Sequence, residues 1–208
     1  MKVHLVVAHP EKESFNYALH QVALSTVLSN NYRVRETDLY LQEFNPAAGK
    51  GDVLNYPPDD YFRLAKAQRW ALASNNFADC IKTEQDKLTS SDILILQFPM
   101  WWWSFPAILK GWIDRVLTSG FAYGEGAVLK SKKVMFSITT GGAGNQEERD
   151  YYASKIAGLY EDVFGFMGWE ILPAFIAHGV QRISDNERKE LLKHYAEHIN
   201  KNVFALAG

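Results

Sequence analysis

The chain has one cysteine, Cys80, in 208 residues. No disulfide can close within it and no thiolate zinc site can be built, so a small buried or half-buried thiol is the expectation. Charge of one sign is also lacking. Twenty-two Lys and Arg stand against 24 Asp and Glu, a formal net charge of −2, which is no footprint for nucleic acid or another polyanion. Long hydrophobic runs are missing too. Met1 to Ala8 is too short for a signal peptide and runs straight into His9-Pro10-Glu11. The uncharged stretch from Ile93 to Leu109 contains Pro99 and Pro106, which break it as a membrane helix. Neither G-x-G-x-x-G nor G-x-x-x-x-G-K-[ST] occurs, which excludes a Rossmann dinucleotide turn and a Walker phosphate loop. Secretion, a disulfide scaffold, a membrane span and nucleic-acid binding are all disfavoured, and the expected compartment is the cytoplasm.

What is present is enough for a core. Apolar residues make up 47% and charged residues 22%, so disorder is excluded as the overall state. A chain of this length buries about 70% of its unfolded surface, and one domain over residues 1–208 is expected, without linker, repeat or low-complexity tract.

Periodicity alternates between two templates. Short apolar runs predict strands over Lys2–Ala8, Tyr32–Asp38, Asp92–Phe98, Lys132–Thr139 and Trp169–Ala177. Helical stripes predict helices over Phe15–Ser29, Asp59–Trp70, Glu84–Ser90, Pro106–Leu117, Glu147–Phe166 and Ser184–Phe204. Pro106 is expected at an early helical position, where its missing N–H costs nothing. Ser184 to Glu187 has the spacing of a capping box. Leu39 to about Pro58 reads as a long irregular segment broken by Pro46, Gly49, Gly51 and Pro57. Five strands alternating with helices predict an α/β fold with a flavodoxin-like, doubly wound parallel five-stranded sheet in the order 2-1-3-4-5. In such a sheet ligands bind beyond the carboxyl ends of the strands, so the loops after strands one, three and four carry the interest.

The first loop, His9 to Asn16, places Ser14 and Asn16 where a helix begins, a position that favours phosphate; Ser14 also reads as a plain N-cap and His9 as a satisfied loop residue. Glu11 and Glu13 oppose an anion unless they turn outward. The second, Phe98 to Pro106, holds Trp101-Trp102-Trp103. Neighbouring side chains leave a loop in different directions, so at least one indole should be partly exposed and able to stack on a flat ring; a hydrophobic plug or dimer contact is the other reading. The third, Thr139-Thr140-Gly141-Gly142-Ala143-Gly144, lets a main chain approach a ligand and can form an anion-accepting nest. An aromatic shelf, a donor-rich bare loop and a phosphate site together describe a flavin pocket.

At these positions the chain resembles the NAD(P)H:quinone oxidoreductases of the DT-diaphorase type. The resemblance rests on His9, Ser14-Phe15-Asn16-Tyr17-Ala18, Gln97-Phe98-Pro99-Met100-Trp101-Trp102, Pro106 to Trp112, Phe121-Ala122-Tyr123, Ser131-Lys132-Lys133 and Ser137 to Gly142. Bacterial quinone reductases and the flavoprotein ancillary subunits of potassium-efflux systems are similar in the same places. The resemblance implies a flavin held by His9, Ser14, Phe15, Asn16 and Ala18 on its phosphate side. Pro99, Met100, Trp101, Trp102 and Trp103 would line its ring, and Thr139, Thr140, Gly141 and Gly142 would donate to the pyrimidine edge. Arg188 and Leu192 fall where the family meets the adenine end of FAD, which favours FAD over FMN. Tyr123 would reach the active site of a partner subunit in a homodimer, making Tyr123, Gly141 and Gly142 the catalytic candidates.

The implied reaction is ping-pong hydride transfer from NADPH or NADH to a quinone. The alternative is a regulatory ancillary subunit of a potassium-efflux transporter, docked peripherally; a one-electron flavodoxin is disfavoured by the near-neutral charge. The chain departs from the family in one respect. The mammalian enzymes carry a tyrosine and a histidine after the glycine loop, whereas here Asn145 to Tyr152 contains no histidine and none follows before His178. Tyr151, Tyr152 and Arg149 are the nearest candidates for moving a proton. His194 and His198 lie four apart on the last helix but read as a solvated face, and no metal is expected.

Overall fold

The computed structural model describes residues 1–57, 61–142 and 144–204. The parallel sheet is built from β1 (Lys2–Val7), β2 (Arg33–Asp38), β3 (Ile93–Pro99), β4 (Lys133–Thr139) and β5 (Glu170–Ile171), in the order β2-β1-β3-β4-β5. A further short strand, β6 (Phe175–Ala177), also pairs with β4. The helices are α1 (Phe15–Ser29), α2 (Leu64–Ser74), α3 (Asp79–Thr89), α4 (Ala107–Val116), α5 (Gln146–Tyr160) and α6 (Asp185–Ile199).

Residues alternate between the two sides of each central strand, and both sides are covered. Leu94, Leu96, Phe98, Val134 and Phe136 pack under Leu88, Leu109, Trp112 and Ile156 from α3, α4 and α5. Val3, Leu5, Ile93, Ile95 and Met135 pack under Leu19, Ala23, Val27, Tyr195 and Ile199 from α1 and α6. This is why β3 reads as an apolar run interrupted only by Gln97. The expected flavodoxin-like architecture and strand order are therefore observed.

Several boundaries differ from expectation. The predicted fifth strand is broken in two around Pro173, where the register on β4 slips by one residue, from Val134 opposite Ile171 to Ser137 opposite Phe175. The gap leaves Phe136 N–H without a strand partner, and the hydroxyl of Tyr160 accepts from it instead. The helix predicted over Asp59–Trp70 runs over Leu64–Ser74, its proposed start lying outside the described residues. The next helix begins five residues early, at Asp79. Both long C-terminal helices loosen into a π turn, at Glu161–Gly165 and Asn200–Phe204. Pro106 is the N-cap residue of α4 rather than its first turn. Ser184 does form the capping box with Glu187.

The irregular segment after β2 is pinned to α4. Buried Arg115 reaches Asp52 at 2.7 Å and the Asn45 carbonyl at 2.5 Å, and its guanidinium lies 4.9 Å from the Phe44 ring centre. A Cβ on Gly111 would come within 2.3 Å of the Pro46 backbone, so only glycine admits this close approach. Cys80 is exposed, against expectation, with its sulfur 3.7 Å from Arg115.

Candidate functional site

A crevice of about 1020 Å³ opens beyond the carboxyl ends of β1, β3 and β4, at the upper end of the range for small-molecule sites. Its walls include His9, Ser14, Phe15, Asn16 and Ala18 from the first loop and α1. Pro99, Met100, Trp101 and Trp102 come from the second loop, and Thr139, Thr140, Gly141 and Gly142 from the third. Arg188 closes it from α6. Of the binding residues expected from sequence, two stand elsewhere. Trp103 packs against Trp102 and Tyr151, with ring centres 6.4 and 6.3 Å away, and Leu192 packs into the core beneath α1 and α6. Tyr123 lies apart, in an apolar cleft with Leu64, Ile113, Phe166 and Met167.

The phosphate side is assembled from a helix start. Ser14 is the N-cap of α1, its hydroxyl accepting from Tyr17 N–H at 3.4 Å, so the plain capping reading and the anion-site reading coincide. The first turn carries no acidic residue, leaving the positive end of the helix uncompensated. Glu11 turns onto its own loop and accepts from Glu13 N–H at 3.0 Å; both carboxylates are exposed at the rim. The Glu11 N–H lies 3.0 Å from His9 Nδ1. The same Nδ1 lies 3.1 Å from the Glu11 carbonyl, so the ring is held against its own loop through Nδ1 and Nε2 is left toward the crevice.

The aromatic side is a turn of unusual composition. Ser104 N–H donates to the Trp101 carbonyl at 3.0 Å, and the two central residues, Trp102 and Trp103, have φ of 50° and 55°. Such a turn ordinarily takes glycine or asparagine. Bulky residues there are strained, and strain of this kind is held where a site needs a side chain in one place. The result is Trp102 standing 90% exposed at the crevice, an apolar shelf for a flat ring.

The glycine loop contributes bareness rather than unusual backbone. Neither Gly141, Gly142 nor Gly144 is in the left-handed region, so the expected nest is not formed by these glycines; Ala143 lies outside the described residues. A Cβ on Gly141 would meet nothing within 4 Å, while one on Gly142 would lie 3.2 Å from the Tyr152 hydroxyl. The Met100 N–H donates to the Thr139 carbonyl at 2.9 Å, which locks the aromatic loop to the glycine loop. Gly141 and Gly142 N–H groups with no acceptor among the described residues, a stacking face and an uncompensated helix start fit a flavin.

Tyr152, one of the three proton-moving candidates, lines the crevice together with a wall that sequence reasoning missed: Val180, Gln181 and Arg182. His178 sits behind Tyr152, with ring centres 5.8 Å apart. The Thr140 hydroxyl donates to the Gly142 carbonyl at 2.8 Å and lies 3.2 Å from His178 Nδ1. One hydroxyl has one proton, so Nδ1 is the donor to Thr140 and Nε2 is left as the basic nitrogen. Burial, aided by Arg149, pushes the His178 pKa down. Tyr152 from α5 and His178 from the end of β6 are thus brought side by side next to the glycine loop. The useful signal was available, since His178 follows the last strand and so belongs to the same sheet edge. Of the helix pair on α6, His198 spends Nε2 on the Pro173 carbonyl at 2.8 Å.

Residues 1–202 match the family model described as flavodoxin-like fold, which defines the class. The chain is 34% identical to Ribosyldihydronicotinamide dehydrogenase [quinone] of Mus musculus, covering 95% of this chain and 90% of that one. It is 32% identical to NAD(P)H dehydrogenase [quinone] 1 of Rattus norvegicus, covering 91% and 73%. A Klebsiella pneumoniae protein solved under the provisional name quinone reductase superposes with a TM-score of 0.88 at 29% identity, covering 96% and 84%. Within the flavodoxin-like class, the chain belongs to the NAD(P)H:quinone oxidoreductase family.

Among the described residues, no helix is long and apolar enough to cross a membrane.

Proposed function

We propose that this chain is a flavin-dependent NAD(P)H:quinone oxidoreductase that works as a homodimer with FAD. The observation that carries the reading is the crevice itself, where a helix start, an exposed indole and a bare loop of donors converge on one volume. When bound, the flavin supplies two-electron hydride transfer from NAD(P)H to a quinone in two successive half-reactions. The chain's residues supply binding, orientation and electrostatics.

The N–H groups opening α1 take the phosphate, with the His9 imidazole beside them. The main-chain N–H groups of Gly141 and Gly142 face the pyrimidine edge and stabilise negative charge there, as an oxyanion hole does, while the Thr140 N–H is spent on the Ala177 carbonyl at 3.0 Å. Trp102 offers its face to the ring. Arg182 and Arg188 line the crevice as well, and these two further cations support FAD over FMN. Arg188 is held ready by the Val180 carbonyl at 2.9 Å and Asp185 at 2.5 Å. Tyr152, with His178 behind it, is the group placed to hold a proton at the glycine loop. Tyr123 and Phe166, the latter 72% exposed, mark the apolar face through which a second copy would complete the site. No observation favours the ancillary-subunit reading.

The test is anaerobic reduction of the FAD-reconstituted protein. Stoichiometric NADPH or NADH should bleach the visible flavin absorption, and an added quinone should restore it. A flavin that binds yet stays oxidised with both nucleotides would overturn the reading.

A further inference from the structure

Gln97 is the one polar residue of β3, a strand buried on both faces, and it is only 2% exposed. Its Nε2 donates to Asn16 Oδ1 at 2.8 Å, and Asn16 Nδ2 donates to Thr139 Oγ1 at 2.9 Å. Asn16 and Thr139 reach the crevice wall, whereas Gln97 stands behind them. Gln97 Oε1 has no hydrogen-bond partner among the described residues. One hydrogen bond does not offset burial of an amide whose oxygen stays unpaired, so stability gives no account of this residue. Local choices that cost stability concentrate at functional sites.

The chain of donors has a direction. Because Gln97 presents an N–H, the Asn16 amide must turn its oxygen toward β3 and its nitrogen toward Thr139. Thr139 Oγ1 then accepts, and its own proton has no acceptor among the described residues. We propose that Gln97 is a positioning residue that sets the sense of this relay, so that the Thr139 hydroxyl donates into the crevice. Its acceptor is a carbonyl oxygen or ring nitrogen of the bound flavin; this part rests on the flavin reading above. Without Gln97 the Asn16 amide is free to reverse, the Thr139 proton goes to Asn16, and the crevice meets a lone pair instead of a donor.

Full-length protein stripped of flavin is titrated with FAD, following flavin fluorescence and the visible bands, for wild type, Gln97→Met, Thr139→Val and the double variant. Circular dichroism and melting without FAD report the fold. Methionine keeps the length and volume of glutamine. Each single variant should weaken FAD binding about tenfold and shift the bands alike. The double variant should be no weaker than Thr139→Val alone, and Thr139→Ser should restore binding. If Gln97→Met does not fold, Asn16→Ala paired with Thr139→Val carries the same cycle. Wild-type affinity and bands in Gln97→Met, or independent losses that multiply in the double variant, would overturn the relay. Wild type that binds no FAD would instead overturn the flavin reading.

Discussion

Two clusters of buried polar groups lie on either side of β1, and they are built to opposite ends. Between β1, β2, α3 and α4, Glu84 accepts from Lys87 at 2.7 Å, from Thr37 at 2.7 Å and from Trp112 Nε1 at 2.9 Å. His4 Nε2 meets Thr37 Oγ1 at 2.9 Å. Although His4 is only 3.7 Å from Glu84, burial and then Lys87 lower its pKa to about 3, so the imidazole is neutral and this contact is not an ion pair. Here nearly every donor is spent inward, and the cluster ties elements together. At the crevice the Thr139 proton, His9 Nε2 and the opening turn of α1 face outward instead. Closure marks the structural cluster and openness the functional one.

The comparison breaks most visibly at Glu84. Glu84→Ala leaves a lysine, a threonine and an indole without their acceptor and should cost about 3–5 kcal/mol. Urea denaturation measures that loss, while the folded fraction should bind FAD with unchanged affinity. The converse change is Gly142→Val, whose side chain meets the Tyr152 hydroxyl and fills the ring's approach. It should weaken FAD binding roughly tenfold or more, near 1.4 kcal/mol, with little change in melting. Tyr151→Phe should leave the same titration untouched, and equal affinities for these two variants would refute the assignment.

A smaller effect is set by pH. Unfolded, the His4 imidazole takes its proton at the ordinary 6.5; folded, it does so only at about 3. Between those values the unfolded chain holds the extra proton. Stability is therefore full above pH 6.5 and falls by about 1.4 kcal/mol per unit as pH drops toward 3. Denaturation at pH 8 and 5.5 reads the slope, which His4→Gln should flatten. Smallest is Trp102→Gly, which relieves a left-handed indole and should raise the stability of flavin-free protein by about 1 kcal/mol. The same change should impair reduction by NAD(P)H, separating shelf from scaffold.

Legibility in the sequence followed burial. β1, β3 and β4 are covered on both faces, so their composition alone declares them; the edge strand hid its break because Pro173 interrupts an otherwise apolar run. Of the crevice, the parts contributed by contiguous residues were readable: His9 to Ala18, Pro99 to Trp102, and Thr139 to Gly142. Trp103 and Leu192 were drawn in by adjacency and by family position, and the turn and the core claimed them. Tyr152 was one of three candidates and His178 was passed over although it follows the last strand; that the two meet depends on how α5 crosses the end of β6, a long-range fact. Cys80 was expected inside because thiols usually are, yet the start of α3 faces outward there.

The break at Pro173 has a consequence for how this molecule keeps to itself. A sheet margin is a template for any foreign strand, and a long regular one invites it. Here the margin beyond β4 is offered in pieces of two and three residues, and the donor between them is capped by the Tyr160 phenol. An incoming strand would find no continuous row to copy, and at Pro173 it would find no N–H at all, so the broken margin guards the protein against growing a ladder.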